Sequence, residues 1–316
     1  LPALLEFEEA AMFSAEIQCM FLVTGATGGL GRRIVRQLRE QNLPVRAFVR
    51  LNARYSELEQ RGAEIFVGNL LNDRDIEKAC RGVRVVISAH GANATGEGDA
   101  QSIDYRANIE LIDQAKAQGA EHFVFTSVLG ADRGYEDAPV FKAKREVEKY
   151  LQQQADGLGY TILRPSGFAS NLLPLAERFR QTGIYLLIGE PQNRTSIVST
   201  DDLARIAVAS ASLDAARNRV FNIGGPEALS RDQIPKIFGR IFNREPIIIN
   251  PPLLLFDGLR GAVGLVSPSV SESLGTLRAL LANEYLVTPA EVALLETTFG
   301  FQPESLEHFL RRCLGI

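Results

Sequence analysis

The sequence predicts an α/β fold of the Rossmann type, a doubly wound parallel sheet followed by a smaller, mostly helical C-terminal lobe. Three observations predict it. An apolar run at residues 20–23 feeds directly into Gly25, Gly28 and Gly31, and a helical pattern with Ile34, Val35 and Leu38 on one face follows. Strand-like and helix-like segments then alternate as far as Leu163. The strand-like segments are short and β-branched, without clean in–out alternation, as expected when helices cover both faces of a sheet.

The first strand, glycine turn and helix N-terminus make an arrangement that cradles a pyrophosphate. In Gly25-Ala26-Thr27-Gly28-Gly29-Leu30-Gly31, Gly25 permits the turn, Gly28 lets the backbone approach phosphates, and Gly31 lets helix pack on strand. Val45–Val49 reads as the second strand, 56–61 as a short helix and Glu64–Val67 as the third strand. Helix 74–80, strand 83–88, long helix 103–118, strand 123–127, helix 141–154 and strand 161–163 continue the alternation.

After Pro165 the pattern becomes irregular, with turn signals at Gly183, Pro191, Gly224-Gly225-Pro226 and Pro251-Pro252. Three later helices have clear starts. Thr200 precedes an acidic first turn (Asp201, Asp202), Ser230 and Gln233 make a capping box, and Thr288, Pro289 and Glu291 supply cap, first residue and box partner. Residues 220–223 look like one more strand, so the second lobe interleaves with the sheet. The expected division is an N-terminal extension (1–19), a dinucleotide-binding domain (20–165) and a substrate or partner lobe (166–316). The first eleven residues carry Glu6, Glu8 and Glu9 and lack the basic region of a signal peptide. Met12 and Met20 are the only methionines, so a native start at one of them is the expectation.

At 316 residues, 46% hydrophobic and 23% charged, the chain has an ordinary globular composition. A net charge of −4 gives no electrostatic reason for nucleic-acid or anionic-membrane binding. Cys19, Cys80 and Cys313 are too scattered for a disulfide framework or a zinc site. They fit a reducing compartment, the cytoplasm or a stroma- or matrix-like interior. The longest apolar stretch, 253–266, is interrupted by Asp257 and Arg260, so no transmembrane helix is expected.

The end of the second strand faces the adenine ribose in this geometry, where a carboxylate suits ribose hydroxyls and an arginine suits a 2′-phosphate. Here the strand ends Phe48-Val49-Arg50, and no carboxylate follows in Leu51-Asn52-Ala53-Arg54. A guanidinium grips phosphate with two parallel hydrogen bonds, so NADP(H) is expected, with Arg32 and Arg33 placed to assist Arg50.

Further motifs carry a family resemblance. Thr24 to Gly31, Phe125-Thr126-Ser127, Leu163-Arg164-Pro165-Ser166-Gly167-Phe168, Phe221-Asn222-Ile223-Gly224-Gly225-Pro226-Glu227 and Phe299-Gly300-Phe301-Gln302-Pro303-Glu304-Ser305-Leu306 together resemble the atypical short-chain dehydrogenase/reductases of the NmrA-like type. The likeness spans about residues 20 to 312. It is strongest to the branch holding the NADPH-binding accessory subunit of respiratory complex I and the photosystem assembly factors. The resemblance implies that Asn69 and Leu70 meet the adenine. It places Ala89, His90 and Gly91 against ribose and phosphates, and Pro165 and Phe168 beside the nicotinamide. His90 could serve as acid or base, or as a hydrogen-bonding wall.

Ordinary members of the superfamily use a Tyr and, four residues on, a Lys. Lys144 matches the Lys, but Val140 stands where the Tyr would be, and valine has no proton to give. Tyr135, just upstream, lacks the spacing of a substitute. Lys144 and Ser127 remain as candidate catalytic residues, Lys144 binding the ribose or donating a proton and Ser127 orienting a carbonyl. Residues 184–188 and 253–256, with Phe168, could wall an apolar pocket. Two expectations stay open. One is an NADPH-dependent reductase of a small or hydrophobic C=C or imine substrate. The other is a catalytically silent NADP(H)-binding sensor, complex subunit or assembly factor, whose partner is a protein.

Overall fold

A computed structural model describes residues 19–92, 98–134, 138–154, 157–252, 276 and 278–316. Residues 1–18 of the expected N-terminal extension, Tyr135 and the apolar stretch 253–256 lie outside the described residues.

The chain alternates strand and helix through β1 (Phe21–Thr24), α1 (Gly29–Glu40), β2 (Val45–Val49), α2 (Ser56–Gln60), β3 (Glu64–Val67), α3 (Asp73–Cys80) and β4 (Val85–Ser88). It continues through α4 (Ala107–Ala117), β5 (His122–Thr126), α5 (Pro139–Gln153) and β6 (Gly159–Pro165). Then come α6 (Leu173–Thr182), β7 (Ile184–Leu186), β8 (Arg194–Thr195), α7 (Thr200–Ala209), β9 (Arg219–Ile223) and β10 (Leu229–Ser230). The chain closes with α8 (Gln233–Phe242), β11 (Ile247–Ile249), α9 (Pro289–Phe299) and α10 (Leu306–Leu314).

Seven parallel strands form the main sheet in the order β3-β2-β1-β4-β5-β6-β9. The direction of winding reverses between β1 and β4, and ligands of such sheets bind at that switch point beyond the strands' carboxyl ends. Register makes those ends level, because Thr24 pairs with Ser88 and Ser88 with Phe125.

Both faces of each central strand are buried, which explains the missing alternation. Phe21 and Val23 join a core with Ile34, Val35 and Leu38 of α1 and Leu203 and Ile206 of α7. Leu22, between them, turns to the other face and packs in a core with Ile76, Leu111, Ile112 and Val147. A third core joins Phe179 of α6, Phe238 of α8 and Phe309 of α10. Residues 200–223 thus return to the sheet, supplying a flanking helix and the seventh strand.

Several elements differ in detail from the sequence expectation. The segment read as one helix, 103–118, begins with a wide π-helical turn, Ala100–Arg106, before the regular turns of α4. Asp99 and Ser102 cap that turn reciprocally, and Asn108 Nδ2 donates to the Asp104 carbonyl at 2.8 Å. The cap of α7 is Ser199, whose hydroxyl accepts from the Asp202 amide; Thr200 is already helical. Only half of the Ser230 box forms: Gln233 Oε1 accepts from the Ser230 amide at 2.8 Å, while Asp232 is the cap. The Thr288–Glu291 box forms in full. No described helix is long and apolar enough to cross a membrane.

One carboxylate staples the lobe to the first helix. Asp201 of α7 accepts from Arg33 at 3.0 Å, Arg36 at 2.7 Å and Arg312 of α10 at 2.8 Å. Burial pushes its pKa up, but the Arg312 hydrogen bond and the three guanidinium charges outweigh that and hold it below the ordinary aspartate value. Asp201→Asn is expected to cost about 1–2 kcal/mol of stability in urea unfolding at neutral pH. Because the native pKa is depressed, this contribution is present above about pH 4 and disappears as pH falls through the lowered native value. Wild type and variant should therefore converge in strong acid.

Candidate functional site

Backbone packing builds the site before any side chain is placed. Gly25 ends β1 with φ +68°, and a Cβ there would lie 2.5 Å from the Ala89 carbonyl oxygen at the end of β4. A Cβ on Gly31 would fall on the Gly25 carbonyl. Only glycines allow the two turns and the helix to close this tightly. The Gly28 amide donates to the Gly25 carbonyl at 2.9 Å, and the Arg32 amide to the Gly28 carbonyl at 3.0 Å. The amides of Gly29, Leu30 and Gly31 occupy the first turn of α1, where N–H groups have no intrahelical acceptor. That terminus carries partial positive charge facing the switch point.

Three recesses run in series from this loop. The first, about 170 Å³, is lined by Gly25, Thr27, Gly28, Phe48, Arg50, Asn69, Leu70, Ala89, His90 and Gly91. The second, about 520 Å³, is lined by Gly28, Gly29, Leu30, Ala89, His90, Gly91, Ser127, Val140, Lys144, Pro165 and Phe168, among others. The two share Gly28, Ala89, His90 and Gly91, so they form one trough. Ala26 and Gly31 line neither recess. They are buried behind the loop and shape it.

At the adenine-side end, Arg50 lines the recess but its expected helpers are engaged elsewhere. Arg32 donates to the Thr27 carbonyl at 2.9 Å, Glu57 at 2.9 Å and the Arg54 carbonyl at 2.7 Å. Arg33 is held by Asp201 and the Gly29 carbonyl. The expectation that both assist Arg50 is therefore corrected: they brace the loop from outside. Asn69 accepts from the Leu71 amide at 2.8 Å through Oδ1, leaving its NH₂ as the donor for a base edge.

His90 is a wall. Its Nε2 lies 3.2 Å from the Ile103 carbonyl, which can only accept, so the ring proton sits on Nε2. Nδ1 then accepts from Thr24 Oγ1 at 2.8 Å, since the Ser88 hydroxyl donates to Asn108 at 2.6 Å. Burial, reinforced by the Lys144 charge, pushes its pKa down to about 3. At neutral pH the imidazole is neutral and has no free nitrogen.

Lys144, on α5, reaches the middle of the trough. Nζ donates to the Thr126 carbonyl at 2.8 Å and stands 3.6 Å from Asp104 Oδ1. It also lies over the Phe125 ring, 5.2 Å from its centroid. Asp104 is 1% exposed; burial raises its pKa, while Lys144 opposes the rise. Among the described residues, Asp104 Oδ1, Thr126 Oγ1 and Thr276 Oγ1 are buried on this recess without a hydrogen-bond partner. Such polar groups suit a polar ligand. Val140 lines the recess one turn before Lys144, an apolar contact where the superfamily's tyrosine would stand.

Ser127 is placed differently from the expectation. Its hydroxyl donates to Glu148 Oε1 at 2.6 Å, and Glu148, fully buried, is clamped by Arg164 at 2.8 and 2.6 Å. The hydroxyl proton points into this pair, while Ser127 still lines the recess. Asp104 and Glu148 had no sequence signature, and Arg164 stood in a motif without an assigned role, because each acquires its role only from a partner distant in the chain. Asp104 was read as one residue of a regular helix; the π turn is what places it beside Lys144.

The third recess, about 480 Å³, opens beyond Phe168 and is lined by Leu172, Leu175, residues 184–188, Ile197, Ile234 and Tyr285. It shares Ser166, Gly167, Phe168, Asn171 and Leu280 with the trough.

An NAD(P)H-binding family matches residues 25–214, well over half the chain. The photosystem II assembly factor Ycf39 of Guillardia theta is 30% identical over 93% of this chain and 94% of its own length. An NAD(P)H azoreductase of Xenophilus azovorans is 30% identical over 84% of this chain and 89% of its own. In fold, the chain matches an NADPH-dependent quinone oxidoreductase of Escherichia coli, solved with NADPH, with a TM-score of 0.74 and 21% identity. That match covers 93% of this chain and all of the other. The chain belongs to this NAD(P)H-binding family, as its glycine motif implied.

The glycine cradle, the unpaired helix N-terminus and the continuous trough fit a dinucleotide. Gly31→Ala is expected to push α1 off β1, lowering the thermal midpoint by several degrees and weakening NADPH binding at least tenfold in calorimetry. Gly134→Ala, whose added Cβ would meet nothing within 4 Å, is the control for stability alone at a positive φ.

Proposed function

We propose that this chain is an NADPH-dependent reductase of an apolar, conjugated acceptor, with residues 20–165 holding the cofactor and 166–316 shaping the acceptor end. One observation carries the reading: a single trough leads from a glycine cradle, past the buried Lys144–Asp104 pair, into an apolar chamber. The azoreductase and quinone oxidoreductase relatives, whose names specify unsaturated acceptors, support it.

The loop from Gly25 to Gly31 would hold the pyrophosphate, Arg50 the 2′-phosphate, Asn69 and Leu70 the adenine, and Lys144, Pro165 and Phe168 the nicotinamide end. The reduced nicotinamide, when bound, supplies a hydride. The chain's part is positioning and proton supply. An ammonium has three donors. Lys144 gives one to Thr126 and leans another toward Asp104, which leaves one for the trough. Donating that proton to an acceptor atom after hydride transfer completes a two-electron, two-proton reduction (one hydride and one proton), and water restores the proton to Lys144. Asp104 keeps the ammonium aimed and compensates its charge inside the protein. Ser127 acts from beneath, fixing the end of β5 through Glu148. This route needs no tyrosine, which accommodates Val140, and it suits C=C, imine, azo or quinone acceptors better than alcohol–ketone exchange.

A second reading, a catalytically silent NADP(H)-binding assembly factor or complex subunit, is favoured by Val140 and by the assembly-factor relatives. Substrate-dependent NADPH oxidation across enones, imines, azo dyes and quinones separates the two. Under the reductase reading, Lys144→Ala lowers turnover by about 100-fold or more while calorimetric NADPH binding is retained within a few-fold. NADPH oxidation untouched by Lys144→Ala would remove Lys144 as proton donor. Tight binding with no turnover on any acceptor class, and a copurifying protein partner, would select the second reading. Arg50→Asp is expected to weaken NADPH at least tenfold more than NADH. Equal weakening would overturn the 2′-phosphate assignment.

A further inference from the structure

The apolar chamber contains one feature that an apolar acceptor alone leaves unexplained. Arg231, between β10 and α8, lines it. Its Nη2 donates to the carbonyls of Leu280 and Asn283, at 2.5 and 3.4 Å, which fixes the guanidinium plane. Its Nε is enclosed without an acceptor. No carboxylate among the described residues pairs with it, and the titratable groups facing it are two phenols, Tyr185 and Tyr285. Burial pushes the Tyr185 phenol up to about 12, so at neutral pH it is a neutral hydroxyl. Burial also lowers the pKa of Arg231. Elsewhere the partly buried arginines that matter to the fold are paired: Arg164 with Glu148 and Asp132, Arg33 with Asp201.

A cation removed from water without a counter-ion is costly, and it is retained where a ligand supplies the missing charge. We propose that the chamber takes an acceptor with an extended apolar body ending in a carboxylate, with Arg231 as the anion anchor. The conjugated end of such a molecule lies past Phe168 toward Lys144, and its carboxylate lies among Arg231 and the Tyr185 hydroxyl. Arg178, exposed on α6 at the same chamber, adds positive potential at its mouth. This deepens the reductase reading and rests on its assignment of the chamber as acceptor site. It differs in claiming which acceptors bind.

The test needs no turnover. The full chain saturated with NADP⁺ is titrated by fluorescence with trans-stilbene-4-carboxylate and with its methyl ester. The wild type is expected to bind the carboxylate about tenfold or more tightly than the ester, the value of one charge-assisted contact. In Arg231→Gln the two should bind within about twofold of each other, with ester affinity unchanged. Arg231→Met, neutral and of similar length, serves as the second variant should the glutamine form fail to fold. Equal binding by the wild type, no binding of either ligand, or a preference that survives in the neutral variants overturns the anchor. A preference that is lost with Arg231, in a protein whose NADPH is oxidised by none of the acceptor classes, would sink the reductase reading and leave the anchor standing. Turnover of conjugated acceptors without a carboxylate preference does the reverse.

Discussion

The structure depends on one close approach of backbone to backbone. The turn after β1 touches the turn after β4, and α1 touches the turn after β1, with glycine at both contacts. Register enforces the meeting, because Thr24 and Ser88 are paired neighbours at the level ends of their strands. From this contact follow the aim of the α1 N-terminus, the position of Ala89 and Gly91, and the seat of His90. The loop is braced from outside by Arg32 and Arg33, which hold the Thr27 and Gly29 carbonyls. Phosphate binding at such a terminus draws on backbone dipoles that are already oriented, so little reorganisation is needed when an anion arrives.

Beneath the trough lie two buried charge systems with different duties. Glu148 and Arg164 satisfy one another through two hydrogen bonds, take in the Ser127 hydroxyl, and reach the surface through Asp132. Such a closed network contributes mainly by fixing geometry, since removing either partner strands a charge. Lys144 and Asp104 are the open system. At 3.6 Å the pair is not a tight hydrogen bond, and Asp104 Oδ1 has no other partner. The closed pair holds the end of β5 still, and the open pair faces the cavity where chemistry is proposed. His90 lines both recesses as a neutral wall whose ring is pinned at both nitrogens.

The C-terminal lobe sets the character of the acceptor end. Its helices carry their own core around Phe179, Phe238 and Phe309, and they meet the sheet through α7, β9 and the Asp201 staple. Phe168 forms a bridge pair with Val198 and stands at the junction between trough and chamber. The two similar proteins named for photosystem assembly and for azo reduction show that one family can carry different functions, which are decided by the site and not by the fold.

The sequence by itself determined the sheet, the cradle and the family. Continuous apolar strands, glycines at fixed offsets and helix caps are local signals, and local physics is enough to read them. Lys144, Val140, Arg50 and the apolar segment 184–188 were legible in the same way, as residue types at expected offsets. Tertiary structure alone decided which charges meet. It gave Arg32 and Arg33 to Glu57 and Asp201, turned the Ser127 hydroxyl to Glu148, widened the turn that brings Asp104 to Lys144, and left Arg231 in the chamber without a carboxylate among the described residues. The reason is physical: a charged side chain is defined by the partner that replaces its water, and those partners lie up to 168 residues away along the chain.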